Sequence, residues 1–283
     1  MLRHGRVLLI VNLHKDDSRS LMEDIRSSLQ KDGVSVTVCA FEGKPESPPS
    51  GDFDLAFSLG GDGTVLYAAR CMADRGVAVL PINLGTLGFI AAVQREDWRP
   101  VYDAWRRGTA SVSARIMLEV SVVRGGKELL RRTYLNDAVV SASGIAKIIR
   151  LEVGTENLRF GRYRADGLIV ATPTGSTAYS VAAGGPILDP EMEAMILNPI
   201  CPFTLSNRPI VIPSHETVVV QVEEVQRSGV MLTVDGQIVV PLEPGDKIVV
   251  RRAEHKARLV ASDRNLFYRV LRTKLNWSGG PDA

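Results

Sequence analysis

Between Leu55 and Arg70 the chain changes character within a few residues. The apolar run Leu55-Ala56-Phe57 ends in Ser58-Leu59-Gly60-Gly61-Asp62-Gly63-Thr64, and helix-compatible residues continue from Val65 to Arg70. This succession predicts a strand, a tight glycine turn and a helix. Glycines open backbone torsions closed to other residues and remove the side chains that would keep a bulky ligand from the main chain. A turn of this kind at a helix start suits phosphate, because unpaired N–H groups and the helix dipole both favour negative charge. Asp62 sits inside the turn, and a carboxylate in a phosphate cradle repels its ligand unless it binds a cation or removes a proton. An aspartate that caps the helix, with glycines that merely turn the chain, accounts for the same residues equally well.

The flanking residues set the turn in an α/β frame. Residues 6–12 (RVLLIVN) form a continuous apolar run of strand length, as in a strand buried on both faces of a parallel sheet. Leu21, Ile25 and Leu29 then recur at helical spacing, with Asp17 or Ser18 as N-cap and Gly33 as terminator. Residues 34–41 read as a second strand, 42–52 as an exposed loop, and 55–59 as the strand that enters the glycine turn. The following helix is expected to run from Val65 to about Arg75, closed by Gly76. Residues 78–83 (AVLPIN) make a further strand, which Pro81 assigns to an edge or a terminus. A second glycine-bearing turn, Asn83-Leu84-Gly85-Thr86-Leu87-Gly88-Phe89, leaves that strand on the same rim, so two turns could face one anion. Ligands of doubly wound sheets gather at these carboxyl ends. Residues 98–108 read as a helix leading out of this domain, with Arg106 and Arg107 in its last turn.

From Arg115 the period becomes that of strands. Ile116, Leu118, Val120 and Val122 alternate with other residues, and Gly125-Gly126 predicts a hairpin turn. Further strands are expected at 148–153, 168–171, 218–222, 230–234 and 247–250, while Phe267, Val270, Leu271 and Leu275 return to helical spacing. These patterns predict a doubly wound, Rossmann-like α/β domain over residues 1–100. A β-rich, sandwich-like domain follows over 101–263, and a last helix within 264–283 packs back on the first domain. Three polar stretches interrupt the β-rich part. Asn136-Asp137 reads as a break in a strand, and Arg162-Tyr163-Arg164-Ala165-Asp166-Gly167 as a hairpin carrying cations and a carboxylate. Thr172-Pro173-Thr174-Gly175-Ser176-Thr177-Ala178-Tyr179-Ser180, followed by Ala182-Ala183-Gly184-Gly185-Pro186, concentrates hydroxyls and small residues directly after an apolar run. Dense hydroxyls beside glycines suit a sugar and a diphosphate.

Lys plus Arg at 34 against Asp plus Glu at 32 leaves a net charge of +2, too balanced for a general nucleic-acid binder. Cys39, Cys71 and Cys201 show no CxxC spacing, which argues against a disulfide framework and a thiolate zinc site. His4, His14, His215 and His255 are scattered without a metal-ligand pattern. No apolar run approaches the ~20 residues that span a bilayer, so no membrane partner and a cytoplasmic location are expected.

Taken together the motifs resemble the NAD kinase family. They are Gly60-Gly61-Asp62-Gly63-Thr64, Asn83 to Phe89, Leu135-Asn136-Asp137, the segment from Arg164 to Pro186, Leu205-Ser206-Asn207-Arg208-Pro209, and Asp235-Gly236-Gln237. They occur in family order over nearly the whole chain. The resemblance implies phosphoryl transfer from ATP, or from inorganic polyphosphate, to the 2′-hydroxyl of the adenosine ribose of NAD, giving NADP. It implies Asp62 as proton acceptor, donor phosphates at Gly60, Gly61, Gly63 and Thr64, and a divalent cation such as Mg²⁺ held mainly by those phosphates with no protein metal site. By the same resemblance Asp62, Gly63, Asn136, Asp137, Lys147, Arg164, Asp166, Thr174, Thr177, Ala178, Tyr179, Ser180, Val181, Ala182 and Gln237 line the NAD site. A homodimer or homotetramer is implied as well. Many relatives carry histidine where this chain has Phe203, in Pro202-Phe203-Thr204-Leu205-Ser206, so no ligand role is carried over to that stretch.

Other kinds of protein share parts of this pattern. A diacylglycerol- or sphingosine-type lipid kinase would share the glycine turn, but it needs an apolar acyl cavity that a hydroxyl-rich lining does not provide. A non-catalytic dinucleotide sensor would bind NAD without a base at Asp62. No strand is followed by GxGxxG and no GxxxxGK[ST] is present, which argues against a nucleotide-dependent dehydrogenase and a P-loop enzyme.

Overall fold

Five consecutive aliphatic residues, Val7 to Val11, are buried on both faces of β1 (Arg6–Asn12). They place this strand inside a sheet. The computed structural model describes residues 5–43, 50–85, 88–91, 93–144, 147–204, 207–226 and 228–275. After β1 come α1 (Ser18–Lys31), β2 (Ser35–Phe41), β3 (Leu55–Gly60), α2 (Asp62–Met72), β4 (Ala78–Asn83), β5 (Val93–Gln94), α3 (Trp98–Arg106) and β6 (Val112–Arg115). The β-rich part follows with β7 (Leu118–Arg124), β8 (Lys127–Tyr134), β9 (Asp137–Ala142), β10 (Ile149–Thr155), β11 (Arg159–Ala165) and β12 (Gly167–Ala171). It continues through α4 (Tyr179–Ala182), β13 (Ala194–Ile200), β14 (Ile210–Pro213), β15 (Val218–Val222), β16 (Val230–Val234), β17 (Ile238–Leu242) and β18 (Lys247–Arg252). The chain closes with β19 (Ala257–Val260) and α5 (Arg264–Leu275).

These elements divide into two compact units, Met1–Arg115 with His255–Ala283, and Ile116–Glu254. The division corrects the expected boundaries at 100 and 263. Residues 101–115 and 255–263 belong to the first unit because β6 and β19 pair with each other and β19 pairs with β4. Arg115, buried, reinforces the join by donating to the Ser262 carbonyl at 2.6 Å.

In the first unit the strand order is β2-β1-β3-β4-β19-β6, with β5 beside β4. The chain leaves β1 toward β2 on one side and returns to β3 on the other. The β1/β3 boundary is therefore the topological switch point, where the carboxyl ends of open α/β sheets bind ligands. Leu21, Ile25 and Leu29 form the buried stripe of α1, as their spacing predicts. Asp17 occupies the N-cap position at φ 60°, yet its carboxylate pairs with Arg95 at 2.8 Å and caps nothing. The helix after the glycine turn begins at Asp62 and ends at Met72, three residues earlier at each end than expected. Pro81 lies on an interior strand and not at an edge. On the side of β4 away from β3, the register passes from Leu259 opposite Val79 to Val93 opposite Ile82. Pro81 falls between these pairs, where a missing N–H interrupts no ladder.

The second unit contains two six-stranded antiparallel sheets, β11-β10-β15-β18-β7-β8 and β14-β13-β12-β9-β16-β17. Alternating residues of both sheets, among them Val120, Val140, Leu151, Leu168, Val220 and Leu232, meet in one buried cluster. This is the sandwich the alternation predicts. Gly125 and Gly126, at φ 56° and 80°, close the β7–β8 hairpin in the left-handed region that a two-residue turn with right-handed strand twist requires. No helix among the described residues is long and apolar enough to cross a membrane.

Candidate functional site

In the first unit both glycine turns leave the carboxyl rim of the sheet and are tied together. Leu84 N–H donates to the Gly60 carbonyl at 2.9 Å, and within the second turn the Asn83 side-chain amide donates to the Gly85 carbonyl at 2.8 Å. The Asp62 carboxylate completes the join. Its Oδ1 accepts from Ile90 N–H at 3.2 Å and Ala91 N–H at 2.8 Å, and its Oδ2 from Phe89 N–H at 3.0 Å. The anion that this part of the second turn faces is therefore Asp62 itself. An ionised carboxylate has about four acceptor positions, so three amides leave one open on Oδ2.

The glycines around Asp62 serve different ends. A Cβ on Gly88 would fall on the Asp62 carboxylate, and one on Gly60 would fall on the buried side chain of Thr64. Those two glycines are required by the chain's own packing. A Cβ on Gly61 would meet nothing within 4 Å. Gly61 thus leaves the helix start open to a ligand, whereas Thr64 is buried. Thr86 and Leu87 of the second turn lie outside the described residues. Phe89 packs against Phe267 of α5 at 6.3 Å between ring centroids, so the terminal helix supports the loop that holds Asp62.

In the second unit the organising residue is Asp235. It opens the Asp-Gly turn between β16 and β17, with Asp235 at φ 50° and Gly236 at φ 65°. Its carboxylate accepts from the N–H groups of Leu135 at 3.2 Å, Asn136 at 2.8 Å and Asp137 at 3.3 Å. Asn136 consequently lies between β8 and β9 and Asp137 opens β9, so the pair does not interrupt a strand. Burial, and then the nearby charge of Asp235, push the Asp137 carboxyl up from its ordinary 3.8 to about 7, although the Tyr179 N–H partly offsets the rise.

Three hydroxyls of the 172–180 stretch hold backbone in and beside it. Thr172 Oγ1 donates to the Leu135 carbonyl and accepts from Gly175 N–H at 3.0 Å. Ser176 Oγ donates to the Pro173 carbonyl at 2.6 Å and accepts from Leu188 N–H at 3.0 Å, and Thr177 Oγ1 donates to the Thr174 carbonyl at 3.3 Å. Ser180 is fully buried against Asn198, whose amide donates to the Ser180 carbonyl at 2.8 Å. Among the described residues three side-chain oxygens beside these groups are buried without a partner, Asn136 Oδ1, Thr174 Oγ1 and Asn198 Oδ1. Such atoms are costly unless a ligand or water pairs with them. Gly175 lies so close to the Asn136 carbonyl that a Cβ would overlap it. Gly175→Ala is therefore expected to displace Asn136 and cost ~1–3 kcal/mol, read as a lowered midpoint in denaturant.

Comparison with known proteins also finds two matched parts of the chain. Residues 135–262 match the family model described as the ATP-NAD kinase C-terminal domain, and residues 49–108 match the ATP-NAD kinase N-terminal domain. An NAD kinase of Treponema denticola is 42% identical over 275 residues, covering 97% of each chain. The chain belongs to the NAD kinase family. As a member it is a phosphotransferase acting on NAD. Among solved structures, yeast NADH kinase complexed with NADH superposes with a TM-score of 0.84 at 24% identity, over 98% of this chain and 89% of that one. An NAD kinase from Archaeoglobus fulgidus in complex with ATP gives 0.74 at 26% identity, over 96% and 98%.

The structure brings Asn136, Asp137, Thr174 and Tyr179 of this family member around one segment, with Gln237 two residues beyond Asp235. Ala178 and Val181 are half-buried and Ala182 exposed along the same segment. Asp166 sits where the chain crosses from β11 to β12, its N–H on the Ile200 carbonyl at 3.0 Å. Lys147 is exposed and lies over Gly144. Asp235 and Asn198 are the residues to which the sequence alone assigns no role. Asp-Gly flanked by alternating apolar residues is the available signal for the first, whereas Asn198 lies within a strand that carries no such mark.

Proposed function

We propose that this family member transfers the γ-phosphoryl group of ATP to the 2′-hydroxyl of the adenosine ribose of NAD, with Asp62 accepting the hydroxyl proton. The observation that carries this reading is the Asp62 carboxylate, fixed by three backbone amides with one acceptor position open. A ribose hydroxyl is a weak nucleophile at neutral pH. As its oxygen bonds to phosphorus, the bond from that phosphorus to the β,γ-bridging oxygen breaks, ADP leaves, and the hydroxyl proton passes to Asp62 Oδ2. Fixed amides hold the carboxylate in place without reorganisation during the step.

The unpaired Asn136 Oδ1 and Thr174 Oγ1 support dinucleotide binding by the second unit, since a sugar hydroxyl or a base amine would supply the donors they lack. ATP as donor is supported by the Archaeoglobus fulgidus relative, whose structure is an ATP complex. A Mg²⁺ ion carried on the donor phosphates belongs to the same proposal. When bound, that ion neutralises charge building on the transferred group. Assembly as a homodimer or homotetramer is part of the same proposal, and light scattering of the purified chain tests it.

Incubating the purified protein with NAD, Mg²⁺ and either ATP or polyphosphate, and detecting NADP with an NADP-specific dehydrogenase, is expected to give NADP with ATP. No NADP with either donor would overturn the reading.

A further inference from the structure

After β13 the chain turns at Cys201, which is left-handed at φ 44°, and runs back beside the end of β11. Phe203 N–H donates to the Arg164 carbonyl at 2.8 Å. This places the Phe203 ring against the Arg164 guanidinium, with Cζ 4.6 Å from the ring centroid. Phe203 is 63% exposed, so burial of apolar surface does not explain a phenylalanine there. Its defined partner is the cation.

Arg164 differs from its neighbours on β11. Arg159 pairs with Glu152 at 2.8 Å and Arg162 with Glu223 at 3.2 Å. Among the described residues the Arg164 side chain forms no ion pair and donates no hydrogen bond. An aromatic ring engages the face of a guanidinium and leaves the N–H fork at its edge for a bidentate oxygen ligand. A cation with a fixed face and an unused fork is pre-organised for a phosphate.

We propose that Phe203 is a positioning residue for Arg164, holding the guanidinium so that its N–H donors meet a phosphate of the dinucleotide. This rests on the assignment of Arg164 to the NAD site. It gives Phe203 a part in ligand binding that the family pattern, with histidine at this position, does not imply. The aromatic face and not mere bulk carries the effect, because a leucine of similar size has no negative π-surface.

The test is steady-state kinetics with NAD varied at saturating ATP and Mg²⁺, for the wild type, F203A, F203L, F203Y, R164A and F203A/R164A. Calorimetric titration of NAD into the same proteins runs in parallel. F203A and F203L are expected to raise KM and Kd for NAD about two- to fivefold, the effect of ~0.5–1 kcal/mol for an exposed cation–π pair, with kcat retained. F203Y should restore the wild-type values, and F203A should add nothing in the R164A background. An unchanged KM in F203A, or the same rise with Arg164 already removed, would overturn the proposal. So would a change in the mass of the F203A protein at the assay concentration, which would mark Phe203 as a subunit contact. If the wild type makes no NADP, the catalytic reading fails separately and the calorimetric comparison decides this one.

Discussion

Asp62→Asn is expected to lower kcat by ~10²–10⁴-fold while NAD still binds, because the variant keeps the shape of the side chain and loses the proton acceptor. The hydrogen-bond pattern adds a second effect. The substituted asparagine can present its carbonyl oxygen to Ile90 and Ala91 N–H, but its amide nitrogen then opposes the Phe89 N–H. One half-buried donor set against another costs on the order of 1 kcal/mol, so the melting midpoint should fall as well. Single-turnover rates on protein verified as folded, together with calorimetric NAD affinity, separate the two consequences. Turnover within a few-fold of wild type would remove Asp62 from the chemistry and leave it as the clasp between the two glycine turns.

The second large effect concerns pH and comes from Asp137, whose carboxyl is held near 7 by burial and by Asp235. Here the folded chain grips its proton more tightly than the unfolded chain does. Between 3.8 and about 7 the folded state therefore binds more protons, and stability declines as pH rises through that window, reaching its floor above about 7. A rise of this size corresponds to roughly 4 kcal/mol. Asp137→Asn mimics the protonated acid and keeps an oxygen for the Tyr179 N–H. The variant is expected to be more stable than the wild type at pH 8, and the gap should close progressively as the pH is lowered toward 4. Paired denaturant titrations across that range measure it, and a gap independent of pH would show that Asp137 is not held protonated.

What the sequence discloses depends on how local the controlling interactions are. β1 and β4 as continuous apolar runs, and β15 and β16 as short strands, begin and end where the sequence reading puts them. β13 is not legible in this way, because Asn198 and Pro199 break its apolar run, yet all seven of its residues are buried. The reason is tertiary, since Ser180 accepts the Asn198 side-chain N–H groups at 2.8 Å and 3.3 Å. Pro81 misleads for a related reason, because the gap that accommodates it is set by which strands lie beyond β4. In the site, the motif residues are legible and their division of labour is not. Asp62 binds amides 27 to 29 residues away, and Asp235 binds amides about a hundred residues away. Thr172 and Ser176 belong to a hydroxyl-dense stretch that in the sequence suits a sugar, and in the fold they hold backbone, a distinction only the folded geometry makes.

The placement of β19 has a bearing on how the molecule comes into being. This strand lies between β4 and β6, but it follows them by well over a hundred residues in the chain. During synthesis the N-terminal segment must emerge with a vacant slot in its sheet and wait while the entire sandwich is translated. A polypeptide halted just short of that strand would carry an uncovered edge beside β4, the kind of surface on which nascent chains aggregate.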